Sequence, residues 1–128
     1  MAALEVKMEE EFESVVPIAK VNEAKRVVMG EVLVPGIRDA HGDTVSAETI
    51  EKAAHAFLER GGLVGEMHRK FGGVGSVVES FIAREGDPDF TQGAWVLAVK
   101  CNEETWQKVL DGKLTGFSIG GYARRKEN

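Results

Sequence analysis

The sequence predicts an α+β domain, a mostly antiparallel β-barrel of about six or seven strands with two helices on its outside. Three observations predict it. Short β-branched runs, bounded by glycine, proline and Asp/Asn clusters, recur along the chain. Only two stretches carry helical periodicity. The longer of them presents one apolar stripe, which needs a sheet to lie on because no second long helix exists to receive it.

Taken in order, residues 1–13 carry Glu5, Glu9, Glu10, Glu11 and Glu13 and read as an acidic leader, solvated and open to disorder. Residues 14–128 read as a single domain. Val15–Val21 and Val27–Val34 are β-branched runs on either side of the polar stretch Asn22–Arg26, the pattern of a hairpin. Pro35-Gly36 ends the second strand, and residues 37–45 form a loop. Ser46 then caps a helix in which Ile50, Ala53, Ala54, Phe57 and Leu58 recur at helical spacing, and Gly61-Gly62 stops it. Leu63–His68 is a short strand followed by a glycine turn at Gly72-Gly73, and Gly75–Arg84 is a longer strand. Glu85–Gly93 holds Gly86, Pro88 and Gly93 and is a loop. The continuous apolar run Ala94–Cys101 is a buried strand. Asn102 caps a short helix to Asp111, with Trp106, Val109 and Leu110 facing inward, and Leu114–Arg124 is the last strand. Trp95 and Trp106 both fall at core positions.

Composition narrows the function. Hydrophobic residues make up 43% and charged residues 29%, the balance of a folded domain. A net charge of −5 argues against a nucleic-acid or anionic-membrane surface, and the basic Arg124-Arg125-Lys126 reads as a solvated end. Cys101 is the sole cysteine, so neither an internal disulfide nor a cysteine-rich zinc site can form. It reads as a small buried filler. No apolar run approaches the roughly 20 residues of a membrane span, and the acidic N-terminus is unlike a signal peptide, which makes a cytoplasmic protein the default.

Candidate chemistry centres on Gly116-Phe117-Ser118-Ile119-Gly120. Strand alternation puts Phe117 and Ile119 on one face and Ser118 on the other, between Gly116 and Gly120. Missing side chains on both sides clear space above a hydroxyl and let another backbone approach; a bent strand with an incidental serine explains the same pattern. His68 ends its short strand, where an imidazole can act as the base of a serine or sit at a surface turn. Glu79 is read on one face with Val77 and Phe81, where a carboxylate wants a partner. Orienting His68 would serve, as would an arginine or an exposed edge; Glu66, Asp39 and Asp43 compete with it. His41 lies in a D-x-H-x-D spacing that is a poor metal site, and His55 falls off the apolar stripe of its helix.

These residues resemble a known family, the phage serine proteases of the XkdF type, relatives of the prohead proteases. The likeness runs from about Val15 to Arg124 and rests on ordered landmarks. They are D-A-H-G-D at Asp39–Asp43, I-E-K-A-A-H-A-F at Ile50–Phe57, M-H at Met67-His68, V-V-E-S at Val77–Ser80, G-A-W-V at Gly93–Val96, and W-Q-K-V-L-D-G-K-L-T-G-F-S-I-G-G at Trp106–Gly121. The resemblance implies a barrel similar to herpesvirus assemblin and a serine endopeptidase without cofactor or metal. It maps the nucleophile to Ser118 and the base to His68; in assemblin-like enzymes the third member comes from well downstream of the serine, so here Glu79 from upstream, a missing downstream segment, a dyad and an inactive site all stay open. It further implies scaffold and major capsid proteins as substrates, in the host cytoplasm inside the assembling prohead, and allows a homodimer. Two other readings stand beside it: an inactive protease fold serving as a structural module of the head, and an unrelated small β-barrel binding domain.

Overall fold

In the computed structural model the described residues are 3–5, 11–37, 44–61, 64–65, 75–122 and 124–126. The chain order is β1 (Ala3–Glu5), β2 (Glu11–Pro17), β3 (Lys20–Asn22), β4 (Val27–Leu33), α1 (Ala47–Glu59), β5 (Val64–Gly65), β6 (Gly75–Ile82), β7 (Trp95–Cys101), α2 (Glu103–Leu110), β8 (Gly116–Tyr122) and β9 (Arg124–Lys126). The stretch read as an acidic leader thus contributes β1 and the start of β2, and the basic tail forms β9 opposite β1.

The α+β class and its two helices stand, and among the described residues no barrel closes. The described strands form a four-stranded sheet in the order β3-β4-β7-β6, a three-stranded sheet β2-β8-β5 and a β1-β9 ribbon, none of them closed. All pairings are antiparallel. The ring of strands stays open between β5 and β6, which are not paired; the expected Val15–Val21/Val27–Val34 hairpin differs as well. Only Lys20–Asn22 pairs with β4, while Glu11–Pro17 pairs along β8. The handover takes one peptide unit: the Ile18 N–H donates to the Thr115 carbonyl at 3.0 Å, and the Ala19 N–H donates to the Met29 carbonyl at 2.8 Å. One run of chain therefore belongs to both sheets and joins them at a corner. Gly30 makes the corner possible, because a Cβ there would lie 2.3 Å from the Pro17 carbonyl oxygen.

The hairpin turn is held by Asn22, whose side-chain oxygen accepts the Lys25 N–H at 3.1 Å. Arg26 closes it in the left-handed region, φ 57°.

Both helices begin as their caps predict. Ser46 accepts the Thr49 N–H at 3.2 Å, and Asn102 accepts the Thr105 N–H at 2.9 Å. The stripe Ile50, Ala53, Ala54 and Phe57 of α1 is buried with Trp95, Leu97 and Val99 of β7, and the Phe57 and Trp95 rings meet edge to face at 5.5 Å. Leu58, expected in that stripe, is 49% exposed; one residue beyond Phe57, it is turned about 100° from it. Leu110 corrects in the same way at 53% exposed. The buried side of α2 is centred on Thr105 and Trp106 with Val109 beside them, and Leu110 lies about 90° from that centre.

A second, smaller cluster covers the other face of the four-stranded sheet. Phe90, in the loop after β6, packs with Ala83, Val96, Met29 and Phe81. That loop is tied down at three points. The Asp87 carboxylate accepts the N–H groups of Asp89 and Phe90, Lys20 pairs with Asp89 at 2.7 Å, and Glu31 accepts the Thr91 N–H at 2.8 Å. β7 is consequently buried on both faces, which is why Ala94–Val99 reads as an unbroken apolar run. Among the described residues no helix is long and apolar enough to cross a membrane.

Candidate serine site

Ser118 lies in β8, the central strand of the three-stranded sheet, with Val15 of β2 opposite it on one side and Gly65 of β5 on the other. Phe117 and Ile119 point into the main core, so Ser118 points away from it, as the alternation predicted. Paired residues share a face, and Val15 therefore flanks the hydroxyl. Sequence reasoning did not name Val15, because the signal for it is the handover of β2 from β4 to β8, which no local pattern announces.

Two features differ from expectation. Gly116 was read as leaving room for an outside backbone, but a Cβ there would sit 2.9 Å from the Val16 carbonyl oxygen. The backbone it admits is the chain's own β2. Ser118 is also fully buried, at 0% exposed. A peptide carbonyl can reach its hydroxyl only by displacing what covers that face.

His68 lies outside the described residues, as do Glu66, Asp39, His41 and Asp43. β5 ends at Gly65, opposite Ser118; His68 is three positions later in the sequence. Glu79 is placed in the other sheet, opposite Ala98. A bulge between Val77 and Glu79 puts an extra residue, Val78, into the strand. Val77 pairs with Val99 of the main core, whereas Glu79 shares its face with Phe81 and Ala98 on the opposite side. The expected common face of Val77 and Glu79 is thereby corrected, and Glu79 is exposed rather than set in apolar surroundings. His55 is exposed on α1, as expected.

Cys101 is buried, and desolvation pushes its thiol above the usual range, which removes thiolate chemistry at neutral pH. Among the described residues no group of three His, Cys, Asp or Glu is arranged to hold a metal ion.

The model of the family described as "Putative phage serine protease XkdF" matches residues 14–127. The chain belongs to this family. It is 41% identical over 103 residues to the phage-like element PBSX protein XkdF of Bacillus subtilis (strain 168), covering 77% of this chain and 38% of that protein. It is 40% identical over 114 residues to the uncharacterized protein YqbD of the same organism, covering 86% of this chain and 35% of YqbD. The XkdF-type domain thus spans a little over a third of the length of these relatives. No solved structure matches it.

Proposed function

We propose that this domain is a serine endopeptidase of phage head maturation, with Ser118 as nucleophile and His68 as base, acting on scaffold and major capsid proteins. The place of action is the host cytoplasm, inside the assembling prohead. The observation that carries the reading is the register of β8 with β5, which sets Ser118 beside Gly65, three positions ahead of the histidine in the sequence. Membership of a family named for serine proteases supports the same chemistry.

In the proposed reaction the imidazole takes the Ser118 proton as the hydroxyl oxygen attacks the scissile carbonyl. Backbone N–H groups stabilise the oxyanion, and the imidazole then passes the proton to the leaving amine. Water hydrolyses the acyl-enzyme by the same route. Turnover should rise from acidic to neutral pH as the base gives up its proton. Glu79 entered as the orienter of the imidazole on the strength of an apolar setting that it does not have. Glu79→Gln decides its part: a fall in turnover with the fold intact keeps it, and wild-type turnover removes it.

The full burial of Ser118 favours a second reading, a protease fold retained as a structural module of the head. Co-expression with the cognate scaffold and capsid proteins separates the two, wild type beside Ser118→Ala, read by intact mass. Discrete fragments that vanish in the alanine variant establish the protease. Intact partners that co-purify with both forms establish the structural module.

A further inference from the structure

Ser118 has one cross-strand partner on each side, and the two differ. Gly65 of β5 has no side chain, whereas Val15 of β2 carries a branched one. Directly opposed residues hold their Cβ atoms about 5 Å apart. The register therefore sets the half-buried Val15 beside the hydroxyl.

The direction in which Val15 leans is given by Gly116, two positions before Ser118 on the same face. A Cβ at Gly116 would meet Val15 Cγ1 at 3.4 Å, an ordinary contact. A Val15 methyl thus lies over the clearance that this glycine leaves, and Gly116 is buried. Branching at Cβ restricts the rotation of Val15, so it acts as a stiff wall on this side of the serine. Ser118 itself is 0% exposed, so no open solvent lies beside the hydroxyl to take up a bulky group. In acyl transfer the leaving group departs, but the acyl residue stays bonded to Oγ until water releases it. Its side chain must share the space beside Val15.

We infer that Val15 is a specificity-determining residue of the serine site, which limits the acyl residue of the substrate to small side chains and excludes branched and aromatic ones. The inference rests on Ser118 being the nucleophile, as proposed above.

The test uses the N-acetyl p-nitrophenyl esters of glycine, alanine, valine and phenylalanine, which require no particular cleavage sequence. Ser118 Oγ bonds to the ester carbonyl as its proton passes to the base, and p-nitrophenolate leaves with the electron pair of the broken C–O bond. Water then frees the acid. Nitrophenolate release, less the rate with Ser118→Ala, gives kcat/KM for each ester. Wild type should favour the alanine ester over the phenylalanine ester, and Val15→Ala should narrow that ratio by about tenfold or more. Val15→Thr, close to valine in shape, should keep the wild-type ratio. Val15→Ile, which adds a methylene to the wall, should raise the glycine-to-alanine ratio, and it serves if the alanine variant does not fold. Damage to the fold alone lowers all esters together and leaves the ratios unmoved. Ser118-dependent turnover with ratios unchanged in Val15→Ala or Val15→Ile overturns the inference and leaves the nucleophile standing. So does a wild type that takes the phenylalanine ester as readily as the alanine ester. No Ser118-dependent turnover of any ester, by wild type or variant, overturns the nucleophile and the inference together.

Discussion

Replacing Gly30 by alanine tests the corner that joins the two sheets. The added methyl would lie 2.3 Å from the Pro17 carbonyl oxygen and 2.8 Å from a Val16 methyl carbon. The first neighbour is backbone and cannot rotate away, so β2 must move off β4 by about 1 Å to restore ordinary contact. That movement strains the Ala19-to-Met29 hydrogen bond, 2.8 Å in the native fold, and loosens Val16, which is fully buried. Overpacking of this kind costs about 1–3 kcal/mol, and a weakened hydrogen bond adds about 1 kcal/mol. Restricting the unfolded chain returns about 0.5 kcal/mol. The net expectation is a loss of about 2 kcal/mol, which in a domain of this size lowers Tm by roughly 8 °C. Urea and thermal unfolding, followed by far-UV dichroism, measure both. A Gly30→Ala variant within about 0.5 kcal/mol of wild type would refute the crossing. The relation between the sheet of Ser118 and the sheet of β7 would then have to be redrawn.

Four further outcomes follow from the packing and the proposed chemistry. The raised thiol of Cys101 stays protonated in the fold after the unfolded chain has begun to ionise near about 8.5, so its contribution is complete below that pH and declines above it; between pH 7 and 9.5, wild type should lose more stability than Cys101→Ala in urea titrations, and a thiol reagent should modify Cys101 only once denaturant is added. Trp95→Phe removes the indole that donates to Ser80 and shrinks a side chain that is 2% exposed, costing about 2 kcal/mol in chemical denaturation. Asn102→Ala leaves the first turn of α2 without its cap and should cost about 1 kcal/mol, with Asn102→Ser recovering most of it. If the proposed chemistry holds, turnover rises from acidic to neutral pH, and a flat profile across that range removes His68 as base.

Much of this architecture was legible because local chemistry dictates it. Ser46 and Asn102 cap as their side-chain oxygens allow, the Ile50–Phe57 stripe lies on β7, and the long apolar run of β7 marks a strand buried on both faces. What escaped was decided by partners distant in sequence. Val15–Val21 is one β-branched run, and nothing within it says that its first part pairs with β8 and its last with β4. The side that Glu79 presents depends on a single extra residue at Val78, and a bulge leaves no mark in an apolar-polar alternation. Ser118 was legible as a residue facing away from the core, since Phe117 and Ile119 flank it; its complete burial was not, because strand alternation tells which way a side chain points and not whether that face is covered. Leu58 and Leu110 were overread for a simpler reason: a hydrophobic residue at the fringe of a helix stripe is spaced almost like one at its centre.

The shared run at the corner gives two neighbouring amides different meanings. The Ile18 proton is held by Thr115 beside β8, and the Ala19 proton by Met29 of β4. In native-state hydrogen exchange, an excursion that opens only the sheet of Ser118 releases Ile18 and leaves Ala19 protected, while an excursion of the four-stranded sheet does the reverse. Equal exchange free energies at the two positions would mean that both sheets open in one event. Unequal ones would rank the sheets from two consecutive amides of one protein, without a mutation.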